Sequence, residues 1–174
     1  MKILHVFPFY SIRGGGGTTW LIDQLSYAQS RIGHDVTVIT TDYMFDEKNL
    51  NNKNIYNVIA LKSYFNFFGV YFSPELIKFC NKSLKDYDII HLHLFRSIQN
   101  TIICFYANKF NIPYIIDAHG SLPRHFKIKY LKKYFYDILF GKDILKNSKA
   151  FIAENELSYK EYIDFGIDDD KIAI

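Results

Sequence analysis

Short continuous apolar runs alternate along this chain with longer stretches whose apolar residues recur every three or four positions. The runs read Ile3-Leu4, Val36-Thr37-Val38-Ile39, Ile89-Ile90 and Ile115-Ile116. A strand with one wet face alternates apolar and polar residues, whereas a run apolar throughout belongs to a strand covered on both faces, as in a parallel sheet. This pattern predicts strands at 2–7, 35–41, 56–61, 88–93, 114–118 and 150–154, and helices at 17–32, 74–85, 97–110, 123–140 and 157–165. Ser73-Pro74-Glu75 offers a capping serine, a proline at the first helical position and an early carboxylate, while Gly33-His34 and Asn111-Ile112-Pro113 are stop signals. The first helix is expected to bury Leu21, Leu25, Ala28 and Ile32. Strands alternating with helices imply an α/β fold with a doubly wound parallel sheet, a Rossmann-like three-layer sandwich. The asparagine-rich segment 43–54 is expected to be a mobile loop, and Asp170 to Ile174 looks like the start of another strand.

Composition narrows the class. The 174 residues fit one domain, 1–174, and 49% hydrophobic with 18% aromatic residues argues for a packed interior rather than disorder. A net charge of +3 does not call for nucleic acid, and no nucleic-acid-binding module is visible. Cys80 and Cys104 lack metal-like spacing and read as buried reduced thiols. The opening MKILHVFPF is too short an apolar run for a secretory signal, and no stretch reaches the roughly 18 apolar residues of a membrane span. The protein is therefore expected to be cytoplasmic, soluble or peripheral at a membrane.

The glycines at 14–17 join the first strand to the first helix. They permit positive φ and close approach to main-chain N–H groups, and the helix aims its free N–H groups at the same place. The run reads either as an anion seat, most simply for a phosphate, or as a flexible surface loop. In an open parallel sheet, ligands bind beyond the carboxyl ends of the strands near the switch in strand order. Those ends supply the glycine run, Asp42, His93, His119-Gly120 and Glu154, and a strand order 3-2-1-4-5-6 sets His93 toward the glycine run. His119, where a strand turns into a loop, is a candidate for contacting substrate hydroxyls. His91 and His93 share a strand face, but no third ligand completes a metal set, so no metal or other cofactor is expected. The glycines begin too far beyond the strand for a dinucleotide fingerprint, and no Gly-Lys-Ser/Thr follows them. Residues 124–149 hold eight basic residues against Asp137 and Asp143, with Phe126, Tyr130, Tyr134 and Ile138 at every fourth position. That stripe reads either as core packing with a solvated lysine face or as a dock for an anionic membrane.

Taken in order, Gly16-Gly17, Gly33-His34-Asp35-Val36, Phe72-Ser73-Pro74, Tyr87 to His93, Ile112 to Ile116, His119 to Arg124, Asn155-Glu156 and Phe165-Gly166-Ile167 resemble the N-terminal domain of retaining GT-B glycosyltransferases of family 4. The resemblance implies sugar transfer, with retention, from a nucleotide-diphosphate sugar donor to a glycan or lipid-linked saccharide acceptor, without a metal. It implies that Gly16 and Gly17 approach the donor diphosphate, that His119 reaches the donor sugar as the catalytic-site histidine, and that His93 and Arg124 lie on the acceptor side. Thr19 stands where the family commonly has glutamate. The resemblance also implies a second, C-terminal donor-binding domain beyond these residues, without which this portion is expected to be inactive. A non-catalytic acceptor- or membrane-binding module, or one subunit of a split transferase, is the alternative reading.

Overall fold

The computed structural model describes residues 1–11, 16–43, 45, 55–67, 70–123 and 127–174. The chain runs β1 (Lys2–Val6), α1 (Gly16–Arg31), β2 (Asp35–Thr41), β3 (Asn57–Leu61), β4 (Phe65–Phe67), β5 (Val70–Phe72), α2 (Pro74–Ser83) and β6 (Ile89–His93). It continues through α3 (Ile98–Phe110), β7 (Tyr114–Asp117), α4 (Lys127–Tyr136), one π turn (Asp137–Gly141), α5 (Lys142–Asn147), β8 (Ala150–Ile152), α6 (Glu156–Asp164) and β9 (Ile172–Ala173).

Seven strands form one sheet in the order β3-β2-β1-β6-β7-β8-β9, every neighbouring pair parallel. This is the expected doubly wound order, with β9 added at one edge. β4 and β5 pair antiparallel separately from this sheet, in a stretch for which the apolar pattern predicts no element. Most of segment 43–54 and the glycines at 14–15 lie outside the described residues.

The strands are apolar because both faces are covered: every residue of β2 after Asp35 and of β1 after Lys2 is buried. Side-chain alternation then sorts them into two cores. Leu4, Val6, Ile39, Ile90, Leu92 and Ile116 pack with α2, α3 and Tyr162 on one face. Ile3, Phe7, Val36, Val38 and Tyr56 pack with Ile22 of α1 on the other. Each fully buried Leu, Ile or Phe contributes about 1.5–3 kcal/mol.

The same alternation corrects the orientation of α1. Its buried residues are Thr19, Ile22, Asp23 and Ser26, while Ala28 is exposed and Ile32 is 74% exposed. The strand face beneath α1 is itself partly polar, so α1 meets it with polar side chains: Tyr56 donates its hydroxyl hydrogen to Asp23, and the Gln29 amide reaches His5. An apolar-periodicity argument turns this helix the wrong way. Ser73, expected to cap α2, makes no side-chain cap bond, whereas Ser97 caps α3 by accepting from Asn100 N at 3.0 Å.

The helix expected at 123–140 is interrupted by the π turn, and its cause is local. Asp137 turns inward to a bidentate pair with Arg96, Nε to Oδ1 at 2.7 Å and Nη2 to Oδ2 at 2.8 Å. Arg96 Nη1 also donates to the carbonyls of Ser121 at 2.5 Å and Leu122 at 3.0 Å, fastening the loop after β6 to the loop after β7. Gly141 leaves room for this pair, since a Cβ there would meet Asp137 Oδ1 at 3.0 Å and the Phe95 ring at 3.1 Å. Replacing Arg96 by Leu takes the guanidinium from a buried carboxylate and is expected to lower the unfolding free energy by about 3–5 kcal/mol in urea denaturation. Gly141→Ala should cost about 1–3 kcal/mol. A loss below about 1 kcal/mol for Arg96→Leu, the range of an exposed pair, would remove the pair from this role.

Candidate active site

Four chain segments meet the carboxyl edge of the sheet around the switch point, where β1 and β6 are neighbours and their crossovers leave in opposite directions. The link after β1 is tied to β2: Tyr10 N donates to Thr40 Oγ1 at 3.0 Å, and Thr41 Oγ1 donates to the Pro8 carbonyl at 2.7 Å. That link delivers the chain to Gly16, whose φ of 61° suits glycine, and to Gly17 in the first turn of α1. Both are exposed, no described residue beyond their chain neighbours and their own helix backbone comes within 4 Å of where either Cβ would stand, and the first turn has no acidic residue. An anion meets open N–H groups and the positive end of the helix dipole there. Thr19 is fully buried, and its hydroxyl has no partner among the described residues. Arg124 lies outside the described residues.

β6 ends at His93 and Leu94, whose φ is 72°, and β7 ends at Asp117, followed by His119 at φ 46° and Gly120 at φ 68°. Non-glycine residues held at positive φ mark a turn that its surroundings over-determine. The turn sends the His119 ring back toward β6. There it joins a line of contacts: Gln29 Oε1 to His5 Nε2 at 2.8 Å, His5 Nδ1 to His93 Nε2 at 2.9 Å, and His93 Nδ1 to His119 Nε2 at 3.0 Å. His119 Nδ1 then meets Glu154 Oε1 at 2.8 Å and Asp117 Oδ1 at 3.3 Å. Register explains the gathering, because His5 pairs with His91 and His93 with Asp117 on the sheet face that α1 covers.

The structure brings Gly16, Gly17, His93, His119 and Glu154 to one edge, but not in equivalent ways. His93, expected to face the glycine run, is fully buried with both ring nitrogens bonded to other histidines. His119 shows little of its side chain to solvent, and its outward contact is the part-exposed Glu154 carboxylate. His91 and His93 do acquire the third members they lacked on sequence grounds. His5, His91 and His93 each place a ring nitrogen within 4.8 Å of the others, as do the ligand atoms of His93, Asp117 and His119. The separations of 2.9–3.0 Å along the line are those of direct N–H···N bonds. His91 Nε2 is buried without a partner among the described residues.

Sequence reasoning missed His5, Gln29 and Arg96. Of these, only His5 had a usable signal: its parity on β1 sets it on the face of Ile3 and Phe7, and the strand order then places it against His91.

Burial sets the charge states. It lowers the His5 pKa to about 4, against support from the Gln29 hydrogen bond. It also holds His91 and His93 well below the usual histidine value, reinforced by the neighbouring imidazoles. Asp117 is pushed up to about 6 by burial, opposed by His119 and assisted by Glu154. Elsewhere, an apolar cavity of about 440 Å³ lies between α3 and the π turn, lined by Phe105, Tyr106, Leu139, Phe140 and Ile144 among others.

The family model described as Glycosyltransferase Family 4 matches residues 15–174. No curated protein sequence matches the chain. Among solved structures, Anabaena Alr3699/HepE in complex with UDP-glucose is similar over 99% of this chain and 43% of its own, at 18% identity and a TM-score of 0.67. A glycosyltransferase from Rickettsia africae ESF-5 matches over 99% of this chain and 41% of its own, at 23% identity and a TM-score of 0.61. UDP-GlcNAc 2-epimerase from Methanocaldococcus jannaschii matches over 100% and 45%, at 17% identity and a TM-score of 0.63. At these identities the likeness is one of fold, and the chain spans less than half the length of these structures.

The buried imidazoles make stability pH-dependent, with a definite sign. Their folded pKa values lie below the unfolded value of 6.5, so the unfolded chain binds more protons in acid and stability falls as pH drops through 6.5 toward 4. Asp117 works the other way between 3.8 and about 6. With three groups against one, the unfolding free energy should be smaller at pH 5 than at pH 7.5 in urea titrations. Asp117→Asn should steepen that loss, and a flat profile would contradict these assignments.

Proposed function

The chain belongs to Glycosyltransferase Family 4, and from that premise we propose that it is the N-terminal, acceptor-side half of a retaining GT-B hexosyltransferase. The full enzyme would move a sugar from a nucleotide-diphosphate donor to an acceptor hydroxyl on a glycan or lipid-linked saccharide in polysaccharide biosynthesis. The observation that carries the reading is the shared edge: an open Gly16-Gly17 helix start beside a histidine turn at the switch point. In this reading Gly16 and Gly17 receive the donor diphosphate through main-chain N–H groups. The His119 ring addresses the donor sugar when a sugar hydroxyl takes the place of Glu154. His93 acts through His119, and Arg124 contributes the basic contact to the acceptor. Binding orientation and stabilisation of the leaving diphosphate both need the second half of the cleft.

The test is turnover by the full-length protein with nucleotide-sugar and saccharide acceptors, with product analysis by mass spectrometry and NMR. Transfer with retention is expected, and His119→Ala should lower kcat by roughly 10²–10³-fold, as for loss of one transition-state donor. Because relatives of this fold include UDP-GlcNAc 2-epimerases, an epimerised nucleotide sugar with no acceptor product would replace this reading.

A surface feature favours a membrane-bound acceptor. Leu131, Phe135, Ile138 and Leu139 are exposed rather than packed in the core, with Lys142 and Lys146 exposed next to them. No described helix is long and apolar enough to cross a membrane, so this surface would lie on a bilayer rather than span it. The protein should cosediment with anionic vesicles in a salt-sensitive manner, and the triple change Leu131→Ser, Phe135→Ser, Leu139→Ser should abolish it. Equal binding to neutral vesicles, or undiminished binding by the triple variant, would reject the membrane contact.

A further inference from the structure

The line from Gln29 to Glu154 has a direction that its chemistry dictates. It contains four contacts, each requiring one hydrogen: Gln29–His5, His5–His93, His93–His119 and His119–Glu154. An ionised carboxylate only accepts, and His119 Nδ1 faces two carboxyl groups, Glu154 at 2.8 Å and Asp117 at 3.3 Å, so Nδ1 carries a hydrogen. With that single hydrogen, His119 offers a lone pair at Nε2, which accepts from Nδ1–H of His93. His93 likewise accepts at Nε2 from Nδ1–H of His5. His5 is left with a lone pair at Nε2, which needs a donor at the buried end of the line.

Among the described residues, Gln29 is the side chain that meets His5 Nε2 there, at 2.8 Å. Its oxygen and nitrogen are interchangeable by a half-turn of the amide, and the partner decides which is presented. With NH2 toward His5, all four contacts are satisfied by neutral rings. With oxygen toward His5, both ends of the line accept and the same contacts require one additional proton on a line whose two inner rings, His5 and His93, are fully buried.

We propose that His5, His93 and His119 form one polarised relay, each in the Nδ1–H form, and that Gln29, presenting its NH2 group to His5, is the positioning residue that keeps the relay neutral and directed. The proposal rests on the reading that His119 faces the donor cleft, and it adds to it a specificity. His119 presents an N–H donor to that cleft, so the ligand atom replacing Glu154 is a hydrogen-bond acceptor such as a sugar hydroxyl oxygen. His91, on the same face as His5 and His93, stands outside the line.

The test is long-range ¹H–¹⁵N correlation on protein labelled at histidine, at pH 7.5 without sugar or nucleotide. Wild type should show hydrogen on Nδ1 and a lone pair on Nε2 for His5, His93 and His119. Gln29→Glu sets an acceptor at both ends, so one of the three rings should become doubly protonated at pH 7.5 while His91 keeps its state. A merely structural glutamine would not move that signal. Hydrogen on Nε2 of neutral His5 or His93 in the wild type overturns the proposal, as does a stoichiometric metal ion carried on these rings or a Gln29→Glu protein whose rings all stay neutral. If that variant fails to fold, the wild-type pattern decides alone. Turnover is a separate readout: absent sugar transfer with the relay pattern intact would reject the enzyme reading and leave the relay standing.

Discussion

The hydrogen-bonded line through His5, His93 and His119 is the constraint that the site end of this molecule is built to satisfy. An imidazole nitrogen buried without a partner costs about 1–3 kcal/mol, and two rings in the sheet with a third in the turn after β7 present six nitrogens. The line commits all six. It requires β1, β6 and β7 in their observed register, an α1 that turns Gln29 rather than an apolar residue toward the sheet, and a left-handed turn at His119. Shifting any of these by one residue would leave a ring nitrogen unpaired in the interior.

A second fastening keeps the loops beyond the line in place. The Arg96–Asp137 pair and the two carbonyls held by Arg96 join the segments after β6 and β7 to the π turn. Side-chain hydroxyls do the same work on the other side, where Thr40 accepts from Tyr10 N and Thr41 donates to the Pro8 carbonyl just after β1. The glycine pair opens α1, and its own openness comes from the missing side chains.

Sequence patterning served well where one physical rule dominated. Strands covered on both faces read as apolar runs, so six strands were legible from Ile3, Val36, Ile89 and their neighbours, while their order came from the common doubly wound arrangement and not from these residues. The positions of the glycine pair and His119 at the carboxyl edge were legible because each follows a strand exit. The rule failed where a polar interior had to be filled. Leu21, Leu25, Ala28 and Ile32 are the most regular apolar row on α1, yet the face that packs holds Thr19, Asp23 and Ser26. Nothing local in the sequence pairs Gln29 with His5 or Arg96 with Asp137, since those partners are 24 and 41 residues apart. His93 was correctly set at the edge and wrongly aimed, because its burial depends on His5, a residue that a strand-by-strand reading passes over.

The most direct measurement is of scalar coupling across the two inter-imidazole hydrogen bonds in ¹⁵N-histidine-labelled protein. Continuity of the relay predicts coupling between His5 Nδ1 and His93 Nε2 and between His93 Nδ1 and His119 Nε2, each pair sharing one hydrogen. Resolved ring nitrogens with neither coupling would show that the histidines are neighbours without being a relay, and would contradict the account at its centre.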